Sequence, residues 1–210
     1  MTKILKQQVM QLVSGGREGT IPAASVQKWN RYFNGKENER IKDLSTKRGR
    51  ACLEKLGVAR NFIAQEEYKN AYEIFKELME LIEGLPGLAS EVYEEAASCA
   101  LQINERKGAL ELLWKAATTN QGLGKWEEAA RVYEKLGRSY GEEGDPLASF
   151  HNYDSAARFY LKAGVEEKAV ECYKCAGEES QKVGHKKGAL MYFILAGEIK
   201  KAERIIEETE

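Results

Sequence analysis

Proline is scarce in this chain, 3 in 210 residues, and histidine scarcer still at 2. Pro22, Pro86 and Pro146 all fit helix starts or the turns between helices, so long helical patterns run uninterrupted elsewhere. Long apolar runs are missing as well. No stretch approaches the roughly 20 residues that a membrane-spanning helix needs. Residues 1–13 carry Lys3 and Lys6 without an unbroken apolar segment, which argues against a signal peptide. Four cysteines without such a signal point to a reducing compartment, and a cytoplasmic location is the expectation.

The chemistry of catalysis is equally thin. Neither His151 nor His185 stands beside a pattern that would make a base–nucleophile pair. Gly15-Gly16 and Gly122-Leu123-Gly124 lack the lysine–hydroxyl ending of a phosphate loop. Cys172 and Cys175 form a CxxC with His185 ten residues on, but zinc wants four ligands and no second pair is near. Both cysteines fall where small apolar side chains are wanted, so packing is the expected role. Glu142-Glu143, Glu166-Glu167 and Glu178-Glu179 read as helix starts or solvent faces rather than paired catalytic carboxylates. The expectation is no enzyme, no metal and no cofactor.

Charge is plentiful at 31%, and its near balance of −1 hides an asymmetry. Residues 1–60 hold 13 Lys/Arg against 5 Asp/Glu, and the remainder carries −9. Such opposed halves imply partner steering or self-association.

Helical periodicity fills the rest. Apolar stripes predict about eleven helices and no strand: 3–13, 22–33, about 41–64, 66–83, 89–103, 107–121, 125–140, 147–162, 165–183, 186–196 and 198–208. Between 124 and 197 one phrase recurs, an aromatic followed four residues later by glycine: Tyr133 to Gly137, Tyr160 to Gly164, Tyr173 to Gly177, and Phe193 to Gly197. Each glycine is expected to close a helix. Alternate members lie 40 and 33 apart, the repeat lengths of two-helix solenoids. Gly124 to Ala129, Gly164 to Ala169 and Gly197 to Ala202 repeat a five-residue interval, with Tyr133, Tyr173 and Ile206 four residues further on.

These phrases resemble the tetratricopeptide repeat. Leu113, Ala116-Ala117, Ala129, Tyr133 and Leu136 match its small and large positions, and Tyr153, Ala156-Ala157, Tyr160, Ala169, Tyr173 and Ala176 match a second copy. The 40-residue interval and the wording from Ala156 to Gly164 are most similar to the soluble NSF attachment protein (SNAP) branch. The resemblance spans roughly 45–208 and is strongest over 105–205. It implies an all-α, right-handed superhelix acting as a protein-binding adaptor, of the kind used in vesicle trafficking. Attachment proteins end in an acidic segment with a leucine that engages a disassembly ATPase, whereas this sequence reads Glu207-Glu208-Thr209-Glu210. The carboxylate clamp of chaperone-binding repeats is not matched by Trp114, Thr118, Asp154 and Arg158.

Two candidate surfaces follow. If helices 107–121, 147–162 and 185–196 line the groove, it exposes Trp114, Thr118, Asp154, Arg158 and Lys187; the opposite parity would expose other residues. The second surface is the basic region that includes Arg40, Lys47, Arg48 and Arg50. It reads either as a solvated helix face or as a landing surface for an acidic protein, anionic lipid or nucleic acid. Trp29, Tyr32 and Phe33 beside it read as core between the first helices. The expected organisation is a basic helical unit over 1–44 packing on a repeat domain over 45–210. Protein partners are expected, with a second copy of the chain among the candidates.

Overall fold

The computed structural model describes residues 42–207, and all regular structure among the described residues is helical. The helices are α1 Lys47–Ala64, α2 Tyr68–Leu81, α3 Pro86–Gln102, α4 Arg106–Gly122, α5 Trp126–Glu142, α6 Pro146–Ala163, α7 Glu166–Lys182, α8 Lys186–Leu195 and α9 Ile199–Glu207. They match one for one the helices expected between 41 and 208. The two expected at 3–13 and 22–33, the trio Trp29, Tyr32 and Phe33, and nearly all of the unit 1–44 lie outside the described residues.

The start of α1 differs from expectation. The chain breaks at Ser45 and Thr46 instead of running on from 41. Thr46 Oγ1 accepts the Gly49 N–H at 2.8 Å and donates to the Asp43 carbonyl at 2.7 Å, which caps a new helix. Asp43, 3% exposed, accepts the Leu88 N–H at 3.1 Å, placing a carboxylate at the positive end of α3. A β-carbon at Gly49 would lie 1.9 Å from the Asp43 carbonyl oxygen, so this crossing tolerates only glycine.

The turns have a regular step. Asn104, Gly124, Gly144, Gly164 and Gly184 all adopt left-handed φ between 63° and 78°, at intervals of 20 residues. At each, the left-handed residue's N–H bonds a carbonyl three back and the next N–H bonds one five back. Gly124 to Gln121 at 3.1 Å and Lys125 to Asn120 at 2.9 Å are one such pair. This double bond satisfies the orphan carbonyls of the finished helix. The residue after it is already the N-cap of the next helix, so no loop intervenes. Two steps make a 40-residue hairpin. Gly197 ends α8 by the same bonds after only 13 residues, because α8 has 10 residues where α5, α6 and α7 have 17 or 18.

That step corrects the expectation that each glycine of the recurring phrase closes a helix. Gly164 and Gly197 do so. Gly137 and Gly177 lie inside α5 and α7, and both are buried. A β-carbon at Gly137 would stand 2.9 Å from the Tyr153 ring, and one at Gly177 would stand 2.8 Å from the Phe193 ring. These glycines are notches that seat an aromatic ring of the following helix. Their 40-residue separation is the repeat length; the 33 between Gly164 and Gly197 is that length less the missing part of α8.

Packing follows the same register. Buried pairs stand at 96–97, 116–117, 136–137, 156–157 and 176–177, almost all alanine or glycine. Small side chains there let neighbouring backbones approach, while Leu136, Tyr160 and Phe193 fill the space between. Each helix packs chiefly on its chain neighbours. One apolar core runs from Cys52 to Tyr192, and a smaller cluster of Ala189, Phe193, Ala202 and Ile205 joins α8 to α9. No single hairpin could bury both its faces, so stacking supplies the interior.

Candidate interaction surface

Because consecutive helices are antiparallel and alternate helices reach each other by side chains, the stack has two walls. The odd wall is tied by ions between α1 and α3, α3 and α5, and α7 and α9. Arg60 on α1 meets Glu91 and Glu95 on α3, each at 2.5 Å. Glu94 on α3 meets Arg131 at 2.8 Å and Lys135 at 3.4 Å on α5. Glu178 on α7 meets Lys201 on α9 at 2.7 Å. The two Glu95 and Glu91 carboxylates hold the Arg60 guanidinium above its ordinary range, chiefly through the Glu95 hydrogen bond.

The even wall has fewer such ties. The Asp154 carboxylate is mostly buried and pairs with Arg158 Nε at 2.9 Å within α6. Burial first, and Asp154 next, push the Tyr192 phenol up to about 12. Tyr192 stacks on Tyr173 with centroids 6.2 Å apart.

The five groove candidates all fall on this wall: Trp114 and Thr118 on α4, Asp154 and Arg158 on α6, Lys187 on α8. Trp114 is 56% exposed, and the Arg158 side chain is 66% exposed. Thr118 is half-buried and bonded to its own helix: its hydroxyl donates to the Trp114 and Lys115 carbonyls at 3.0 and 3.1 Å. Lys187 is exposed in the first turn of α8. Asp154 and Arg158 are brought together; the others are spread along three helices rather than converging on one point.

Sequence reasoning missed Leu147, Met191 and Ile194 on the same wall, which are 55%, 46% and 55% exposed. The signal that finds them is the 40-residue register: Trp114, Asp154 and Ile194 are equivalent positions.

The basic region is partly consumed by the fold. Lys55 pairs with Glu77, and Arg60 pairs with α3. Arg48 donates to the Glu80 carbonyl at 2.9 Å and Arg50 to the Ser45 carbonyl at 3.3 Å; Lys47 is exposed. Arg40 lies outside the described residues.

Of the CxxC, Cys172 is buried and Cys175 half-buried. Cys172 is 3% exposed and burial pushes its thiol up to about 12; Cys99, 1% exposed, is pushed up to about 11 in the same way. Such thiols stay protonated and unreactive at neutral pH. Among the described residues no group of three or more His, Cys, Asp or Glu could hold a metal ion. His151 lies against Phe150 at 4.0 Å between rings, and His185 is the N-cap of α8. The surface hollows are open and shallow. One of about 330 Å³ is bounded by 66–70 and Ile103, and one of about 550 Å³ lies over 104–108. Among the described residues no helix is long and apolar enough to cross a membrane.

Residues 56–199, more than half of the chain, match the family described as soluble NSF attachment protein, SNAP. The chain belongs to that family. No curated protein matches it by sequence. Among solved structures, a MamA protein is similar at 18% identity over 87% of this chain and 90% of that one, with a TM-score of 0.51. BtubC (BKLC) from P. vanneervenii is 14% identical over 87% of each chain, with a TM-score of 0.53. A signal transduction ATPase with numerous domains from Pyrococcus horikoshii, described as having a tetratricopeptide repeat sensor, is 14% identical. It aligns with 86% of this chain and 28% of its own length, at a TM-score of 0.53. Likenesses this remote speak for the fold, a tetratricopeptide-like helical solenoid, and for nothing beyond it. Within the SNAP family this chain has the expected architecture, with its ion pairs concentrated on one wall.

Proposed function

We propose that this SNAP-family chain is a non-catalytic adaptor whose even wall, α4, α6 and α8, holds a segment of a partner protein. The observation that carries the reading is the exposed indole of Trp114 in line with the Asp154–Arg158 pair. An exposed aromatic anchor beside an arginine is the composition of a binding hot spot. The odd wall carries the ion pairs that cross from one repeat to the next, so those groups are committed to the stack rather than to a partner. A preformed solenoid binds an extended or helical segment with little ordering cost on its own side. The segment expected is acidic or amphipathic, since Arg158 and Lys187 are among several exposed cations on this wall, with Lys107, Lys162 and Lys186. Buried free cysteines suit a cytoplasmic setting.

The test is capture of partners from native extract with the wild-type chain, followed by affinity measurement on the partner recovered. Trp114→Ala and Arg158→Ala are expected to weaken binding at least about tenfold. A partner whose binding ignores both substitutions, collapses with added salt, and is lost when Arg48 and Arg50 are reversed in charge would move the site to α1. That outcome would describe an adaptor for an anionic lipid surface or nucleic acid instead.

A further inference from the structure

We infer that the outer stripe of α1, formed by Ala51, Val58 and Phe62, is a seat for another part of the same chain: residues 22–33 pack on it and cap the first hairpin. The repeat register singles this stripe out. Glu54-Lys55-Leu56-Gly57 of α1 recurs as Glu134-Lys135-Leu136-Gly137 of α5, 80 residues or two repeats on. Positions 51, 58 and 62 then correspond to Arg131, Arg138 and Glu142 in α5, and to Glu171, Glu178 and Lys182 in α7. All six are polar. In α1 their places are taken by an exposed Ala51, a Val58 that is 46% exposed and a half-buried Phe62. The three share one helical stripe, being 7 and 4 residues apart. The buried stripe of α1, Cys52, Leu56 and Ala59, is a separate one. Arg48 and Lys55 stand between the two, and both reach to α2, at the Glu80 carbonyl and the Glu77 carboxylate. Among the described residues α1 packs on α2 and α3. A second apolar stripe on the same helix is built for a further neighbour, and the first repeat of a solenoid needs a cap.

Chain position and sequence identify the occupant. The described residues begin at Lys42, beside the start of α1, and residues 22–33 precede them. Their apolar side chains Val26, Trp29, Tyr32 and Phe33 share one helical stripe, with Lys28 and Arg31 off it. Pro22-Ala23-Ala24-Ser25-Val26 repeats the start of α6, Pro146-Leu147-Ala148-Ser149-Phe150, with proline, alanine and serine unchanged. In that alignment Trp29 falls on Tyr153, and Tyr32 and Phe33 fall on the buried pair Ala156 and Ala157. The segment therefore has the apolar positions of an even helix. Every odd helix after α1 packs on the even helix that precedes it, and α1 has none before it among the described residues. The lengths agree too. Twelve helical residues span about 18 Å, against about 16 Å from Ala51 to Phe62. Residues 34–41 can extend over about 26 Å, enough to lay the segment antiparallel to α1. This seat is independent of the even-wall groove: Trp114 and Arg158 take no part in it.

Hydrogen exchange on the full chain, read by mass spectrometry, tests it. The amides of 22–33 are expected to be protected, and Val58→Glu to lower that protection at least about tenfold while α3 to α9 keep theirs. A milder variant reads the seat directly. The thiol placed by Val58→Cys is expected to be alkylated slowly in the otherwise native chain, and at least about tenfold faster once Trp29→Glu is added. Amides of 22–33 that exchange as in an unfolded chain overturn the proposal. So does protection that survives Val58→Glu, or alkylation at 58 that ignores Trp29→Glu. Protection that appears only as the chain is concentrated from about 1 to 100 μM would seat the segment on a second copy, and protection that appears only with anionic vesicles would seat it on a membrane. Either result also overturns it.

Discussion

The two walls of this solenoid spend their charge differently. On the odd wall, Arg60, Glu94 and Lys201 reach across from one repeat to the next and find opposite charges. On the even wall, Arg158 is paired within its own helix, and Trp114 and Lys187 project outward. The notches divide the same way: odd helices supply Gly137 and Gly177, and even helices supply Tyr153 and Phe193. One side therefore holds neighbouring hairpins in place while the other fills the gaps and keeps its outer positions for contact. A surface whose polar groups are satisfied internally gains less from a partner than one whose groups are still hydrated.

The largest expected effect comes from filling a notch. Gly177→Val would drive a branched side chain into the Phe193 ring and cost about 3 kcal/mol, read as a fall in denaturation midpoint. An unchanged midpoint would mean the odd and even helices are not locked by these seats. Alkaline pH acts on the shared interior. Buried Cys99, Cys172 and Tyr192 hold their protons to about 11, 12 and 12, whereas in the unfolded chain they titrate nearer their ordinary values of 9 to 10. The unfolded state then binds fewer protons, so stability is full below about pH 9 and falls as pH rises toward 12. The slope is about 1.4 kcal/mol per pH unit for each group inside its window. Denaturant melts at pH 8, 10 and 11 would show it, and Tyr192→Phe should flatten its upper part.

Smaller effects sharpen the contrast between walls. Glu94→Gln removes one carboxylate serving two half-exposed cations, and should cost about 1 kcal/mol at low salt and less at high salt. Trp114→Ala should change the denaturation midpoint by less than about 0.5 kcal/mol while reducing partner affinity. If Trp114 proves costly and Glu94 does not, the assignment of the two walls is reversed.

The helices were legible because their signals are local: an apolar stripe of period 3.6, an Asn or Gly that accepts left-handed φ, a Pro at the first turn. The break before α1 was not, since Thr46 caps it with help from Asp43, whose own role depends on α3 far along the chain. Gly137 and Gly164 follow an aromatic at the same distance, yet one is a notch and the other a cap. Only the Tyr153 ring lying against Gly137 separates them. The wall on which Trp114 lies was legible as a set of alternate helices. Its pairing state was not, because Arg60 and Lys55 meet acids more than 20 residues away.

By itself the sequence determined a series of helices and a stack of hairpins about 40 residues long, since caps and apolar period act within a few residues of one another. Tertiary structure alone decided which glycines seat rings, which cations are spent on neighbouring repeats, and which apolar residues of α8 are buried and which exposed. Those outcomes depend on which surfaces meet across hairpins, and the contacts that settle them join residues that no local pattern relates.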